Sequence, residues 1–213
     1  EQHIKREKAT SNICTAQALL ATMAGFYAVY HGPEGIRTIA ERIHSIAVFL
    51  EKSINRLGYK QVNAQYFDTL RFALPDTISA QQIRTIALSK EVNLRYFKNG
   101  DVGMSIDETT DITAVNVLLS IFAIAAGRDW EKASDVPMAS SISAEMKRQS
   151  TYLTHEVFNK YHTETEMMRY IKRLDRKDIS LAHSMISLGS CTMKLNAAAE
   201  MLPLSRPEFM NIH

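Results

Sequence analysis

Small, reactive side chains cluster near the C-terminal end of the sequence. Gly189 is followed by Ser190, Cys191 and Thr192, and a lysine stands at position 194. Backbone N–H groups that follow a glycine can form an anion-binding nest, and a lysine adds positive charge to it. The spacing differs from that of the P-loop, in which the lysine directly follows a second glycine. Two interpretations therefore stay open, an anion-binding loop and a surface turn.

Cys191 is a candidate nucleophile or redox-sensitive thiol, because a neighbouring Lys194 would favour its thiolate form. A nucleophile needs a base, and the spacing of His183 from Cys191 does not place the two side by side. Free cysteines more often act as small buried apolar residues, and we favour that interpretation. Cys14, the other cysteine, lies far away in sequence, which is typical of a reducing compartment.

Histidines and acidic residues form no metal-binding motif in the sequence. The 7 histidines are scattered, and only His155 and His162 have a near-helical spacing. Glu164 and Glu166, like the acidic group at residues 107–111, stand at predicted helix starts, where carboxylates stabilise the N-terminus. We therefore predict structural roles for these carboxylates, and no metal site.

The periodicity of apolar residues along the chain predicts an α+β fold. We expect helices at residues 15–30, 33–57, 79–91 and 110–126, and strands at 67–74, 94–97 and 102–106. Thr10, Ser11 and Asn12 would cap the first helix, which is apolar enough to be buried. Asn99 and Gly100 predict a hairpin turn. The order of elements is typical of an antiparallel sheet covered by helices on one face, followed by a helical linker and an irregular tail.

The C-terminal part differs in pattern from this α+β unit. Residues 128–143 are rich in polar and small residues and predict a linker. Residues 144–174 have a helical pattern with a break near 162–166, and periodicity is lost from Asp175 onward.

Composition excludes two classes of protein. The formal net charge of +2 arises from 25 basic and 23 acidic side chains spread along the chain, so nucleic-acid binding is not expected. The longest apolar run, residues 115–126, is too short to span about 30 Å of hydrocarbon, so no membrane association is expected. The sequence opens without Met on a polar run, and we expect both ends to continue in a longer chain.

Three segments in order resemble the glycine decarboxylase P-protein family of the glycine cleavage system. They are residues 6–15 (REKATSNICT), 30–35 (YHGPEG) and 188–196 (LGSCTMKLN). Residues 168–174, 177–181 and 200–203 also fit, so the resemblance covers essentially the whole chain. Ser187 and Arg206 depart from it, standing where the family usually has Pro and Trp.

The resemblance implies two related halves, each similar to a fold-type I pyridoxal-phosphate enzyme. Residues 1–127 would be the small C-terminal domain of the first half, 128–143 a linker, and 144–213 the helical start of the second half with an active-site loop. The family's cofactor lysine lies in a His-Lys motif, and this sequence contains no His-Lys dipeptide. We therefore expect no catalytic residue here, and Lys194 is not that lysine.

The implied activity of the parent protein is decarboxylation of glycine with pyridoxal phosphate as electron sink, followed by aminomethyl transfer to lipoyl-H-protein. A homodimer is expected, in the cytoplasm of a bacterium or the mitochondrial matrix of a eukaryote. The residues expected near cofactor or substrate are Thr10, Ser11, Asn12, Ser190, Cys191, Thr192, Lys194 and Asn196. The chain alone is expected to be inactive. The alternatives are an architectural or dimerisation module and an inactive regulatory homologue.

Overall fold

The computed structural model describes residues 17–177, 183, 199 and 202–210. The elements described are α1 (Ala18–Arg56), β1 (Lys60–Gln61), β2 (Thr69–Ala73), α2 (Ala80–Ser89), β3 (Arg95–Tyr96), β4 (Val102–Ser105), α3 (Ile112–Ala126), α4 (Glu164–Asp175) and α5 (Pro207–Met210). Short 3-10 turns occupy Ala144–Met146, Glu156–Asn159 and Leu202–Ser205. The chain divides into two compact units, one formed by His31–Thr154 and the other, in its described part, by residues 17–30 and those after 154.

The sheet lies in the unit His31–Thr154 and has the strand order β1-β2-β4-β3, with every neighbouring pair antiparallel. Leu70 pairs with Met104 and Phe72 with Val102, and these four side chains are buried on one face. Alternation along each strand sends their neighbours to the opposite face. The predicted α+β class with an antiparallel sheet is confirmed, while the two-residue edge strand β1 was not predicted.

Helices cover the buried face of this sheet. Fully or almost fully buried side chains come from three helices: Leu50 and Ile54 of α1, Ile83 and Ala87 of α2, and Ile121 and Phe122 of α3. Removing such side chains from water stabilises the fold by about 1.5–3 kcal/mol each for the large aliphatic and aromatic ones. Helix α3 is the buried helix that the apolar run predicts.

Local signals in the sequence set the element ends. Ser79 caps α2 by accepting from the Gln82 N–H, and Asp111 caps α3 by accepting from the Ala114 N–H at 2.8 Å. Gly127 ends α3 in the left-handed conformation, at φ 59°. In the β3-β4 connection Gly100 has φ 91°, as the predicted hairpin requires.

Helix α1 is interrupted at Gly32, which has φ 62° and ψ −177°. Pro33 follows it and therefore stands at the start of a new helical run, where its missing N–H costs nothing. The break predicted at residues 31–35 is thus confirmed, although the two helices follow each other without an intervening loop.

Two predictions about the helices are wrong. The run 15–30 was expected to be buried, yet Leu19, Leu20 and Met23 are 68%, 66% and 57% exposed. Apolar composition indicates that a helix needs a cover and does not say whether one is present among the described residues. The helix predicted over 144–174 exists only as α4, because residues 147–155 have no regular secondary structure and Leu153 has φ 50°.

Residues 128–152, here called the return segment, follow α3. They were predicted as a linker to residue 143 and a helix beyond it, and apart from the turn Ala144–Met146 they have no regular secondary structure. The proposed domain limits at 127 and 143 concern the longer protein and stay predictions. Among the described residues, no helix combines the length and apolar character needed to cross a membrane.

Candidate functional site

The eight residues expected near cofactor or substrate lie outside the described residues. They are Thr10, Ser11, Asn12, Ser190, Cys191, Thr192, Lys194 and Asn196. Their proximity to a ligand therefore stays a prediction. The structure does describe the helices that precede or follow these two groups, namely α1, which starts at Ala18, and α4, which ends at Asp175.

Helix α4 packs against the first part of α1 within one unit. The rings of Phe26 and Tyr170 meet edge to face, with centroids 6.2 Å apart. Upstream of α4, His162 Nδ1 lies 2.7 Å from the carbonyl oxygen of Tyr30. Tyr170 of α4 and His162, which precedes α4, thus contact two residues of α1 that are four positions apart.

An aromatic and cationic cluster holds α4 in place. Tyr161 and Tyr170 stack with centroids 4.3 Å apart, and the guanidinium of Arg173 lies 5.5 and 5.2 Å from their centroids. Arg173 also donates to the Tyr161 hydroxyl oxygen. Cation–π contacts of this kind contribute about 0.5–1 kcal/mol at exposed sites. The sequence pattern does not single out Arg173, because its hydrogen-bond partner Tyr161 is 12 residues away and lies outside α4.

The structural roles predicted for the acidic pair at the start of α4 are confirmed for Glu166. Thr163 caps the helix by accepting from the Glu166 N–H at 3.3 Å, and its hydroxyl donates to Glu166 Oε2 at 3.1 Å. His155 likewise caps a 3-10 turn, accepting from the Val157 N–H at 3.1 Å through Nδ1. These groups therefore serve helix ends, and no two of them converge on a shared point.

Buried polar side chains of the helices fasten the return segment. Asn116 of α3, 6% exposed, donates from Nδ2 to the carbonyl of Ala133 at 2.9 Å and accepts from the Ala133 N–H at 2.9 Å. Its second Nδ2 hydrogen donates to the Ile112 carbonyl. Both hydrogens of the Asn116 amide and its oxygen are engaged. Ala133 therefore makes the same two backbone hydrogen bonds that a residue paired in a β-ladder makes.

Ser45 and His44 of α1 fasten the next part of the return segment, and both are 2% exposed. Ser45 Oγ accepts from the Ala139 N–H at 3.0 Å and donates to the Glu41 carbonyl at 2.7 Å. His44 Nε2 accepts from the Ser141 N–H at 3.0 Å, while Nδ1 lies 2.8 Å from the Phe67 carbonyl. Since a carbonyl only accepts, the proton of a neutral His44 ring must be on Nδ1.

The return segment runs antiparallel to α1. Arg128 donates to the Arg56 carbonyl at 3.1 Å, near the C-terminal end of α1, and Tyr152 donates to the Pro33 carbonyl at 2.5 Å, beside the break. The contacts to Ser45 and His44 fall between these two. The sequence signal for the docked return segment is the presence of Asn116, Ser45 and His44 within apolar stretches of α3 and α1.

A cavity of about 1020 Å³ lies between α1 and the later part of the return segment. Arg37, Lys147 and Arg148 line it together with Glu41 and Tyr152. A lysine that binds pyridoxal phosphate covalently needs a desolvated amine. The described lysines do not fit, because all are exposed except the half-buried Lys90. We therefore derive no chemical step through that cofactor from these residues.

The titratable groups with shifted pKa values have structural roles. Hydrogen bonds from Thr109 hold the pKa of the Asp107 carboxyl below its usual value and order the turn that leads into α3. Burial raises the pKa of Tyr59 to about 12, and its hydroxyl donates to the Phe122 carbonyl at 2.8 Å. Burial also raises the pKa of Tyr96, whose hydroxyl has no hydrogen-bond partner among the described residues.

Comparison with known proteins gives a consistent result. Residues 1–122 match the family model described as "Glycine cleavage system P-protein". Proteins named "Glycine dehydrogenase (decarboxylating)" from Bacteroides fragilis (strain YCH46), Bacteroides thetaiotaomicron and Flavobacterium johnsoniae are 83%, 81% and 53% identical over 213 residues. Each alignment covers 100% of this chain and 22% of the relative, so the chain spans about a fifth of the length of these curated relatives.

Proposed function

The chain belongs to the glycine cleavage system P-protein family, and we propose that, within a full-length P-protein, it forms part of an enzyme that decarboxylates glycine. The expected cofactor is pyridoxal phosphate, which supplies an electron sink for the carbanion formed when CO₂ leaves. The aminomethyl group then passes to lipoyl-H-protein. The observation that supports this proposal is 83% identity over every residue of the chain to a protein bearing that enzyme's name.

Within such an enzyme the described residues have an architectural role. The lysine that holds the cofactor lies elsewhere in the polypeptide, since the described lysines are exposed or half-buried and the sequence has no His-Lys dipeptide. The unit His31–Thr154 provides a rigid sheet-and-helix body whose polar contacts fasten its own C-terminal segment. The chain taken alone is therefore inactive, and its domain limits are those of a small domain, a linker and the start of a second half.

The two groups of candidate residues line the entrance of the active site in this proposal. The contact between Phe26 of α1 and Tyr170 of α4 supports it, because Thr10, Ser11 and Asn12 precede α1 and Ser190, Cys191 and Thr192 follow α4 in the sequence. Lys194 and Asn196 would then supply a positive charge and an amide to anionic ligands.

A full-length P-protein carrying these residues tests the activity. Release of labelled CO₂ from the carboxyl group of glycine is expected only when pyridoxal phosphate and lipoyl-H-protein are both present. Thr10→Ala and Ser11→Ala variants should bind the cofactor more weakly than the parent. Unchanged cofactor affinity in both variants would leave those residues with a helix-capping role alone.

The inactivity of the isolated chain has its own test. After incubation with pyridoxal phosphate and reduction with borohydride, mass spectrometry should find no stoichiometric lysine adduct in the chain. The full-length protein should give one adduct, on a lysine outside these residues. A stoichiometric adduct on Lys194 would contradict the assignment, and a full-length sequence without a His-Lys dipeptide would favour an inactive regulatory homologue.

A homodimer and a bacterial cytoplasmic location complete the proposal. The relatives named above are bacterial, which supports the location. Sedimentation of the full-length protein should give twice the mass of one chain.

A further inference from the structure

The first part of α1 presents an open apolar face. Leu19, Leu20 and Met23 lie on adjacent positions of one side of the helix and are 68%, 66% and 57% exposed. The later turns of the same run are covered, because Phe26 packs on Tyr170 of α4 and Val29 is 6% exposed. The open face therefore lies on the earlier turns, ahead of the residues that contact α4.

The sequence of this helical run is poor in polar side chains. Residues 18–30 (ALLATMAGFYAVY) contain no charged side chain. The hydroxyl of Thr22 is engaged, donating to the Ala18 carbonyl at 3.0 Å. A helix that lacks charged side chains on every side is typical of a protein interior. The second part of α1 is different, since its exposed side carries Arg37, Glu41 and Lys52.

We infer that the open face of α1, defined by Leu19, Leu20 and Met23, is an interdomain contact that is covered by the part of the same P-protein polypeptide lying outside these 213 residues. This rests on the family assignment and not on the proposed activity. The curated relatives are long enough to supply a cover, because the chain accounts for 22% of their length.

A cover from the same polypeptide fits the chemistry better than a second copy does. A helix without charged side chains needs to be shielded at every protein concentration, including that of a newly folded monomer. A covalently attached cover is present at a high effective concentration that does not change on dilution. A second copy would leave the face open whenever the protein dissociates.

Site-specific crosslinking in the full-length P-protein tests this inference. A photoreactive benzoylphenylalanine replaces Leu20, the protein is irradiated, and crosslinked peptides are mapped by mass spectrometry. We expect a crosslink to a peptide outside these 213 residues, in a product that migrates as one chain and whose yield is unchanged on dilution. The matched control is the same substitution at Leu88, which is 53% exposed on α2 between the polar Gln81, Arg84 and Thr85. The Leu88 variant should give much less crosslinked product than the Leu20 variant.

Each other outcome overturns the inference. A product of two chains would identify a second copy as the cover. A crosslink within the 213 residues would show that the chain covers itself, and a yield no higher than at Leu88 would show that the face is open to solvent. The Leu20→Glu variant gives a second readout, because a charge at a buried contact should lower the unfolding midpoint of the full-length protein, whereas Leu88→Glu should not.

Discussion

Asn116 holds Ala133, 17 positions later in the sequence, through both of that residue's backbone polar groups, at 2.9 Å each. The pair resembles one rung of an antiparallel ladder in which a side-chain amide replaces a backbone. Asn116 is 6% exposed, so its own amide depends on these protein partners and not on water.

The Asn116→Ala variant should lower the free energy of unfolding of the chain by about 1–3 kcal/mol. The reason is that the half-buried N–H and carbonyl of Ala133 both lose their hydrogen-bond partner. Urea titration measures the change. The exposed Asn93→Ala variant is the control and should change stability by no more than about 0.5 kcal/mol. Equal effects of the two substitutions would contradict the role of Asn116.

His44 should occupy a single tautomer, with its proton on Nδ1. The Phe67 carbonyl can only accept and the Ser141 N–H can only donate, so the two ring nitrogens have opposite roles. Long-range ¹H–¹⁵N correlation of the ring distinguishes a protonated from an unprotonated nitrogen. His155 provides the contrast within the same spectrum, because its Nδ1 accepts from the Val157 N–H and its proton is therefore expected on Nε2. An Nε2-protonated His44 would mean that the Ser141 contact is absent in solution.

Gly103 and Phe97 should be energetically coupled. A Cβ on residue 103 would lie 2.9 Å from Phe97 Cε2 and 3.3 Å from the Leu70 carbonyl oxygen. Gly103→Ala should therefore destabilise the fold by about 1–3 kcal/mol through overpacking. Combining it with Phe97→Leu should recover part of the loss, and a double-mutant cycle measures the coupling. Strictly additive effects would place the strain at Leu70 instead.

Tyr59 should make stability fall at alkaline pH. Its pKa is raised from 10.0 to about 12 by burial, so the folded state retains a proton that the unfolded state has already released. Its contribution is complete below pH 10 and is lost as the pH rises toward about 12. Unfolding curves across that range should be steeper in their pH dependence for the parent than for Tyr59→Phe. Identical slopes would contradict the shift.

Much of the α+β unit could be predicted because its signals are local. Ser79, Asp111 and the Asn99-Gly100 turn act on neighbours within a few residues, and the structure confirms each. The edge strand β1 could not, because a strand of two residues has no periodicity and exists through its pairing with Ala73 and Phe72. Long-range pairing of this kind leaves no trace in a short window of sequence.

Roles that depend on distant partners also escaped prediction. The role of Asn116 could not be predicted, since its partner Ala133 lies in a segment without secondary structure. Burial of Leu19 and Leu20 was predicted from composition, which reports the need for a cover and not its location. The candidate residues at 10–12 and 190–196 depend on the family resemblance alone, because they lie outside the described residues.

The antiparallel course of the return segment has a consequence for the order of folding. Its contacts to Ser45 and His44 join residues 94 and 97 positions apart, so closing them requires a large loss of chain entropy before any contact forms. The sheet and its helices can assemble first, and the segment then docks on a finished surface. Truncating Ser45 to Ala should consequently accelerate unfolding and leave the refolding rate nearly unchanged, the signature of a contact made after the transition state.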